Sequence, residues 1–233
     1  IDPSELAMEV VVPGAPGAID ETFQFNGELP YSHDGESYES VHSTVDSMGR
    51  LWLLGWERNA EKQFMLRVLP DGTFDTAFSE VFDALNESVG MVRASSLRMS
   101  PDGHVLVGGT IHRDADTIVR GVVMINENGE LVTEFGDGGK VLNDVITEGF
   151  VILPRKDDMI FKHRSFVLSY LYNGEVNTGF HGTGTGVPAA AYYSVGFLRS
   201  DESVLVLDYT SAARATIYTN SERILLEGSY AQI

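Results

Sequence analysis

The chain contains no cysteine, which excludes disulfides, thiolate metal sites and a cysteine nucleophile. Positive charge is scarce: 16 lysines and arginines stand against 34 aspartates and glutamates, a formal net charge of −18. Nucleic-acid binding draws on a basic surface that neutralises phosphates, so no nucleic acid is expected as a partner. Anionic membrane surfaces are disfavoured for the same reason, and the excess acid reads as a solvated exterior. No apolar run approaches bilayer length; Met8–Val12 and Val204–Leu207 are strand-sized, so membrane insertion is not expected. Helical periodicity of useful length is not found. The chain begins at Ile1 without a basic-then-apolar leader and reads as a processed or trimmed product.

What is present is a repeat. Gly17-Ala-Ile-Asp20-Glu-Thr-Phe23 returns as Gly72-Thr-Phe-Asp75-Thr-Ala-Phe78, as Gly129-Glu-Leu-Val132-Thr-Glu-Phe135 and as Gly174-Glu-Val-Asn177-Thr-Gly-Phe180. Its glycines lie 55, 57 and 45 residues apart. Such periods mark an architecture whose units bury their apolar faces only by stacking on neighbours. A second element falls between these phrases. Ser47-Met-Gly49-Arg-Leu51-Trp-Leu-Leu54-Gly55 parallels Pro101-Asp-Gly103-His-Val105-Leu-Val107-Gly108, with weaker copies at Lys156–Phe161 and Ser200–Leu207. Each is a tight turn entering an apolar run, the pattern of a hairpin leading into a buried strand.

Strand-like stretches precede each hairpin turn at Ser40–Asp46, Ala94–Met99, Phe150–Leu153 and Val195–Arg199. A third set follows at Gln63–Leu69, Gly121–Asn126, Phe166–Leu171 and Ala215–Thr219. Short fourth strands are expected at Glu80–Leu85, Lys140–Val145, Val187–Tyr192 and Tyr230–Ile233. Four short antiparallel strands per unit, repeated at this period, predict an all-β fold: a small β-propeller of four to five blades. The expected organisation is one domain over residues 1–233. A half repeat covers 8–38, and full repeats cover about 39–90, 91–147, 148–192 and 193–233. A β-sandwich would show evenly spaced strands without the long-period phrase.

The hairpin at Met99–Gly109 and the phrase Gly129–Gly139, with its Phe135-Gly-Asp-Gly-Gly139 loop, resemble the bacterial delta-60 repeat, a β-propeller family. The resemblance covers most of Val10–Phe180, and the unit from Val195 onward is degenerate. It implies a propeller, common in bacteria and often found in exported or surface proteins; it implies no chemistry. Val132 and Asn177 replace the usual Asp, so a ligand role for that position is not expected. The phenylalanine is expected to wedge between adjacent sheets, and Asp20 or Asp75 to cap a local turn through its side-chain oxygen.

Chemistry is harder to find. Gly182-Thr-Gly184-Thr-Gly186 resembles a phosphate cradle, but Val187-Pro188 follows and no helix is readable there. Asp114-Ala-Asp116 begins like a calcium loop, yet Ile125 stands where the bidentate Glu belongs. The six histidines show no paired metal spacing, and there is no His-Glu-x-x-His or Gly-x-Ser-x-Gly. Neither a metal nor another cofactor is expected. Arg58, Arg113, Arg164 and Arg214 each follow a second strand, so in a propeller they share one face and could ring an acidic channel to hold an anion. The alternative is that connecting loops are simply charged. Trp52 and Trp56 could stack on sugars, or could be packed between blades. The leading expectation is a non-enzymatic binding module that presents loops to a protein or glycan. A propeller hydrolase or lyase is the alternative, with an axial metal or acid/base site drawn from Glu39, His42, Glu148 and Asp144.

Overall fold

The structure is a computed structural model that describes residues 32–33, 36–57, 62–75, 78, 81–144, 150–163, 167–180, 194–198, 201–208, 214–221 and 223–226. It is mostly β and holds four small antiparallel sheets, in each of which strands pair in chain order. The first sheet runs β1 (Ser32–His33), β2 (Glu36–Val45), β3 (Leu51–Glu57) and β4 (Lys62–Val68). The second runs β5 (Met91–Met99), β6 (Val105–His112), β7 (Ile118–Ile125) and β8 (Lys140–Asn143). Next come β9 (Phe150–Pro154), β10 (Asp158–His163) and β11 (Val167–Leu171), which form the third sheet. The fourth has β12 (Ser194–Leu198), β13 (Val204–Asp208), β14 (Arg214–Tyr218) and β15 (Arg223–Leu226).

One expected strand is a helix. Glu80–Leu85 belongs in part to α1 (Val81–Val89). Val81, Phe82, Leu85 and Val89 are buried on one face, while Asp83, Asn86, Glu87 and Ser88 stay exposed. That spacing is helical, and a window of only nine residues reads ambiguously because half of it also fits a strand. The helix packs on β4 and β5. Lys140–Asn143 does form the expected fourth strand of its sheet. In the last sheet that place is taken by β15; Val187–Tyr192 and Tyr230–Ile233 lie outside the described residues, as does the first copy of the phrase.

Alternation along the strands gives each inner sheet two apolar faces. On β6, Val105, Val107 and Ile111 join Trp52, Leu54 and Met65 of the first sheet in one core cluster. The intervening Leu106 faces the other way, into a cluster with Phe150, Ile152 and Phe161 of the third sheet. Leu153, Ile160 and Val167 of that sheet then meet Val204 and Tyr218 of the fourth. Successive sheets also touch in series: β2, the long strand beside the short β1, with β5, β5 with β9, and β9 with β12. Gly108 permits close approach, because a Cβ there would lie 2.7 Å from Ile152 Cδ1 of the next sheet.

The recurring phrase explains how these clusters close. Gly72, Gly129 and Gly174 have φ of 85°, 84° and 88°, and each amide donates to a carbonyl three residues back. A left-handed position in a tight turn is where Gly costs least. Three residues after each glycine, the amides of Asp75, Val132 and Asn177 donate to Arg67, Met124 and Ser169 of the preceding strand. The chain is thereby folded back so that Phe78, Phe135 and Phe180 enter the first, second and third inter-sheet clusters. All three are at most 2 % exposed, so each contributes about 1.5–3 kcal/mol by burial.

Candidate functional site

A polar concavity that rests on a buried charge lies where the third sheet meets the fourth. Its floor begins in the hairpin between β9 and β10, where Arg155 N donates to Asp158 O across a turn one residue shorter than those at Asp46–Arg50 and Ser100–His104. Arg155 is 4 % exposed and Asp158 2 %. The guanidinium forks onto the carboxylate, with Nε 2.5 Å from Oδ1 and Nη2 against Oδ2. Asp158 also accepts from the Ser169 hydroxyl and the Asn177 amide, each at 2.6 Å. Burial works to raise the Asp158 carboxyl, but the Arg155, Ser169 and Asn177 donors outweigh it, leaving the pKa below the ordinary carboxylate value.

Arg155 then reaches across to the neighbouring sheet. Its Nη1 donates to Asn220 Oδ1 at 2.8 Å and to Glu202 O at 3.2 Å, and its guanidinium carbon lies 5.5 Å from the centre of the Phe180 ring. Above it is an open cleft of ≈ 570 Å³ lined by Arg155, Asp201, Glu202, Thr219, Asn220 and Ser221, among others. Glu202 has φ of 60°, a left-handed conformation, at the hairpin place where the first two sheets carry Gly49 and Gly103. Tyr172, whose hydroxyl donates to Arg155 O at 2.9 Å, is pushed above its ordinary pKa by burial and by the carboxylates of Asp102 and Asp158.

A related arrangement closes the first interface. Arg67 on β4 bonds Asp75 through Nε at 2.9 Å and Nη2 at 2.6 Å, and its Nη1 donates to Glu127 O in the second sheet. It lies 4.3 Å from the Phe78 ring centre and 5.3 Å from that of Trp52. Asp75 therefore holds an arginine. Asn177 does cap locally, accepting from Gly179 N at 3.1 Å.

The sequence-derived candidates are dispersed. Arg58 and Arg164 lie outside the described residues. Arg113 is exposed at the end of β6 and ion-pairs with Asp144, itself exposed. Arg214 opens β14 opposite Asp208. Trp52 is fully buried between the first two sheets, with its ring 4.5 Å from Phe78 edge-on and its indole N donating to Asp46 at 3.0 Å. Packing has consumed both faces, so Trp52 offers none to a sugar. Trp56 is half-buried, with Arg93 5.5 Å from its ring centre. Of the axial candidates, Glu39 lies on β2 and Glu148 outside the described residues. His42 is half-buried on β2; burial, then the nearby Arg98, hold its pKa below the usual value and keep it neutral at pH 7.

Among the described residues no group of three or more His, Asp or Glu side chains is arranged to hold a metal ion. No described helix is long and apolar enough to cross a membrane. Sequence reasoning missed Arg155, Glu202 and Asn220. The available signal was Glu202 standing at a glycine position of the hairpin; the reach of Arg155 depends on a neighbouring unit and leaves no periodic trace. No protein-family model and no curated protein matches the chain.

Proposed function

We propose that the chain is a β-propeller of four to five blades, of the kind the delta-60 resemblance implies, acting as a non-enzymatic interaction module for a protein or glycan. The observation that carries this reading is the serial packing of β2 on β5 on β9 on β12, with a phrase phenylalanine in each successive cluster. Radial repetition of small antiparallel sheets is propeller construction. Two buried ion pairs, Arg155–Asp158 and Arg67–Asp75, are spent joining one sheet to the next, so they serve the scaffold.

A thermal-shift panel of calcium, organic acids and neutral sugars, with EDTA as control, tests the function. A ligand well above its Kd raises apparent stability by mass action. A shift with sugars, or silence across small molecules, agrees with an interaction module. A calcium shift reversed by EDTA would replace it with the axial-metal hydrolase or lyase.

A further inference from the structure

We propose that Arg98 and Ser96, on one face of β5, bind the carboxylate group of a ligand, an assignment that does not depend on the propeller reading. The chain's own ion pairs supply the pattern. Arg67 donates through Nη1 to the Glu127 carbonyl and closes Nε and Nη2 on the Asp75 carboxylate. Arg155 donates through Nη1 to Glu202 O and Asn220 and closes the same edge on Asp158. Arg98 begins likewise, its Nη1 donating to Leu97 O at 2.7 Å. Its Nε–Nη2 edge meets no carboxylate among the described residues. That edge is the fork a planar carboxylate fits. Arg98 is half-buried, and burial alone holds its pKa below the ordinary arginine value. Withdrawing a cation from water without a counter-ion is costly. In a chain with 34 acidic side chains against 16 basic ones, an internal partner was not scarce. A ligand carboxylate offsets that cost.

Ser96 supplies the second donor. From Ser96 to Met99 the strand pairs regularly with β6, so Ser96 and Arg98 share a face with their Cα atoms roughly 7 Å apart. Ser96 is 2 % exposed. Its hydroxyl, like that of Ser95 at the irregularity beside it, has no hydrogen-bond partner among the described residues. Buried hydroxyls are rarely left unpaired. Beside Arg155, the Ser169 hydroxyl donates to the Asp158 carboxylate, and the Ser96 hydroxyl is available for the same use. His42 on the neighbouring β2 feels the Arg98 charge and stays neutral at pH 7, so it adds no second charge. One cation and a hydroxyl match a single carboxylate group better than a phosphate dianion.

The test is an NMR titration of the ¹⁵N-labelled chain with acetate, succinate and an N-acetylated, C-terminally amidated peptide bearing a single glutamate. Inorganic phosphate and chloride at matched ionic strength are the competing anions. Saturable shifts are expected at the Arg98 Nε–Hε signal, identified by its loss in Arg98→Lys, and at the amides of Ser96–Met99. Arg98→Lys keeps the charge but loses the fork, and should weaken binding roughly tenfold. Ser96→Ala removes one donor to a charged group and should also weaken binding roughly tenfold. Its melting temperature should hold or rise, because the deleted hydroxyl has no partner in the fold. Saturation by acetate or succinate alone identifies a free organic acid as the source, and tighter binding of the peptide identifies an acidic side chain of a partner. Silence with all three carboxylates, shifts confined to other residues, or indifference to both substitutions overturns the proposal. So does a Ser96→Ala variant that melts earlier, or phosphate or chloride binding as tightly as the carboxylates.

Discussion

The first and third inter-sheet interfaces perform one task with arginines drawn from different places. At the first, Arg67 comes from the last strand of its sheet, lies over Phe78, pairs with Asp75 of the recurring phrase and bonds the Glu127 carbonyl. At the third, Arg155 comes from the first hairpin, lies over Phe180, pairs with Asp158 and bonds Asn220. Glu127 and Asn220 both belong to the turn that follows the third strand of the receiving sheet. The middle interface has Val132 at the phrase position and uses tyrosines, with Asn143 donating to the Tyr170 hydroxyl at 2.6 Å. Geometry therefore repeats where residue identity does not: each unit must tie its phenylalanine to the next sheet, and any donor of sufficient reach serves.

The pairs differ in depth, and that difference can be broken by substitution. Arg155 and Asp158 side chains are 4 % and 3 % exposed, against 10 % and 18 % for Arg67 and Asp75. Arg155→Met leaves a carboxylate buried without its cation and should cost about 3–5 kcal/mol in urea unfolding. Arg67→Met, with a partner that water reaches, should cost roughly half as much. Equal losses at the two sites would refute the ranking by burial.

Acid sharpens the contrast. The folded pKa of Asp158 is depressed, so its stabilisation is complete above the unfolded value of about 4 and is lost as pH falls through the folded pKa. Stability measured from pH 7 to 2 should fall along that limb, and Asp158→Asn should flatten it. Asn177→Val removes one donor to Asp158 and the local cap on Gly179, converting the third interface toward the middle one. The expected loss is about 1–2 kcal/mol. The smallest effect runs the other way: Glu202→Gly relieves a left-handed backbone and should stabilise the chain by about 1 kcal/mol by thermal unfolding.

Much of the sheet order was legible because the turns announce it. Gly49, Gly103, Gly129 and Gly174 all adopt positive φ at turns read from the residues alone, and the phrase phenylalanines do wedge between sheets. Helix α1 was not legible, since Val81-Phe82 and Leu85 satisfy a strand pattern until Val89 extends the stripe. The candidate site was the least legible part. Its sides come from turns that lie far apart in sequence, Arg155 and Asn220 being separated by 65 residues. Trp52, attractive as an exposed platform, proves to be the part of the first interface that Arg67 covers.

The serial packing of β2, β5, β9 and β12 also bears on how this chain acquires its structure. Every substantial contact between described sheets joins units that are consecutive in sequence. Such a chain need not gather distant segments before its first stable contacts form, so loop closure slows assembly little. Structure can start in any unit and spread outward like a zipper, and a lesion at one joint should melt its two neighbours before it reaches the rest. Hydrogen exchange should then resolve the sheets as separate steps, with the second and third, held on both faces, opening last.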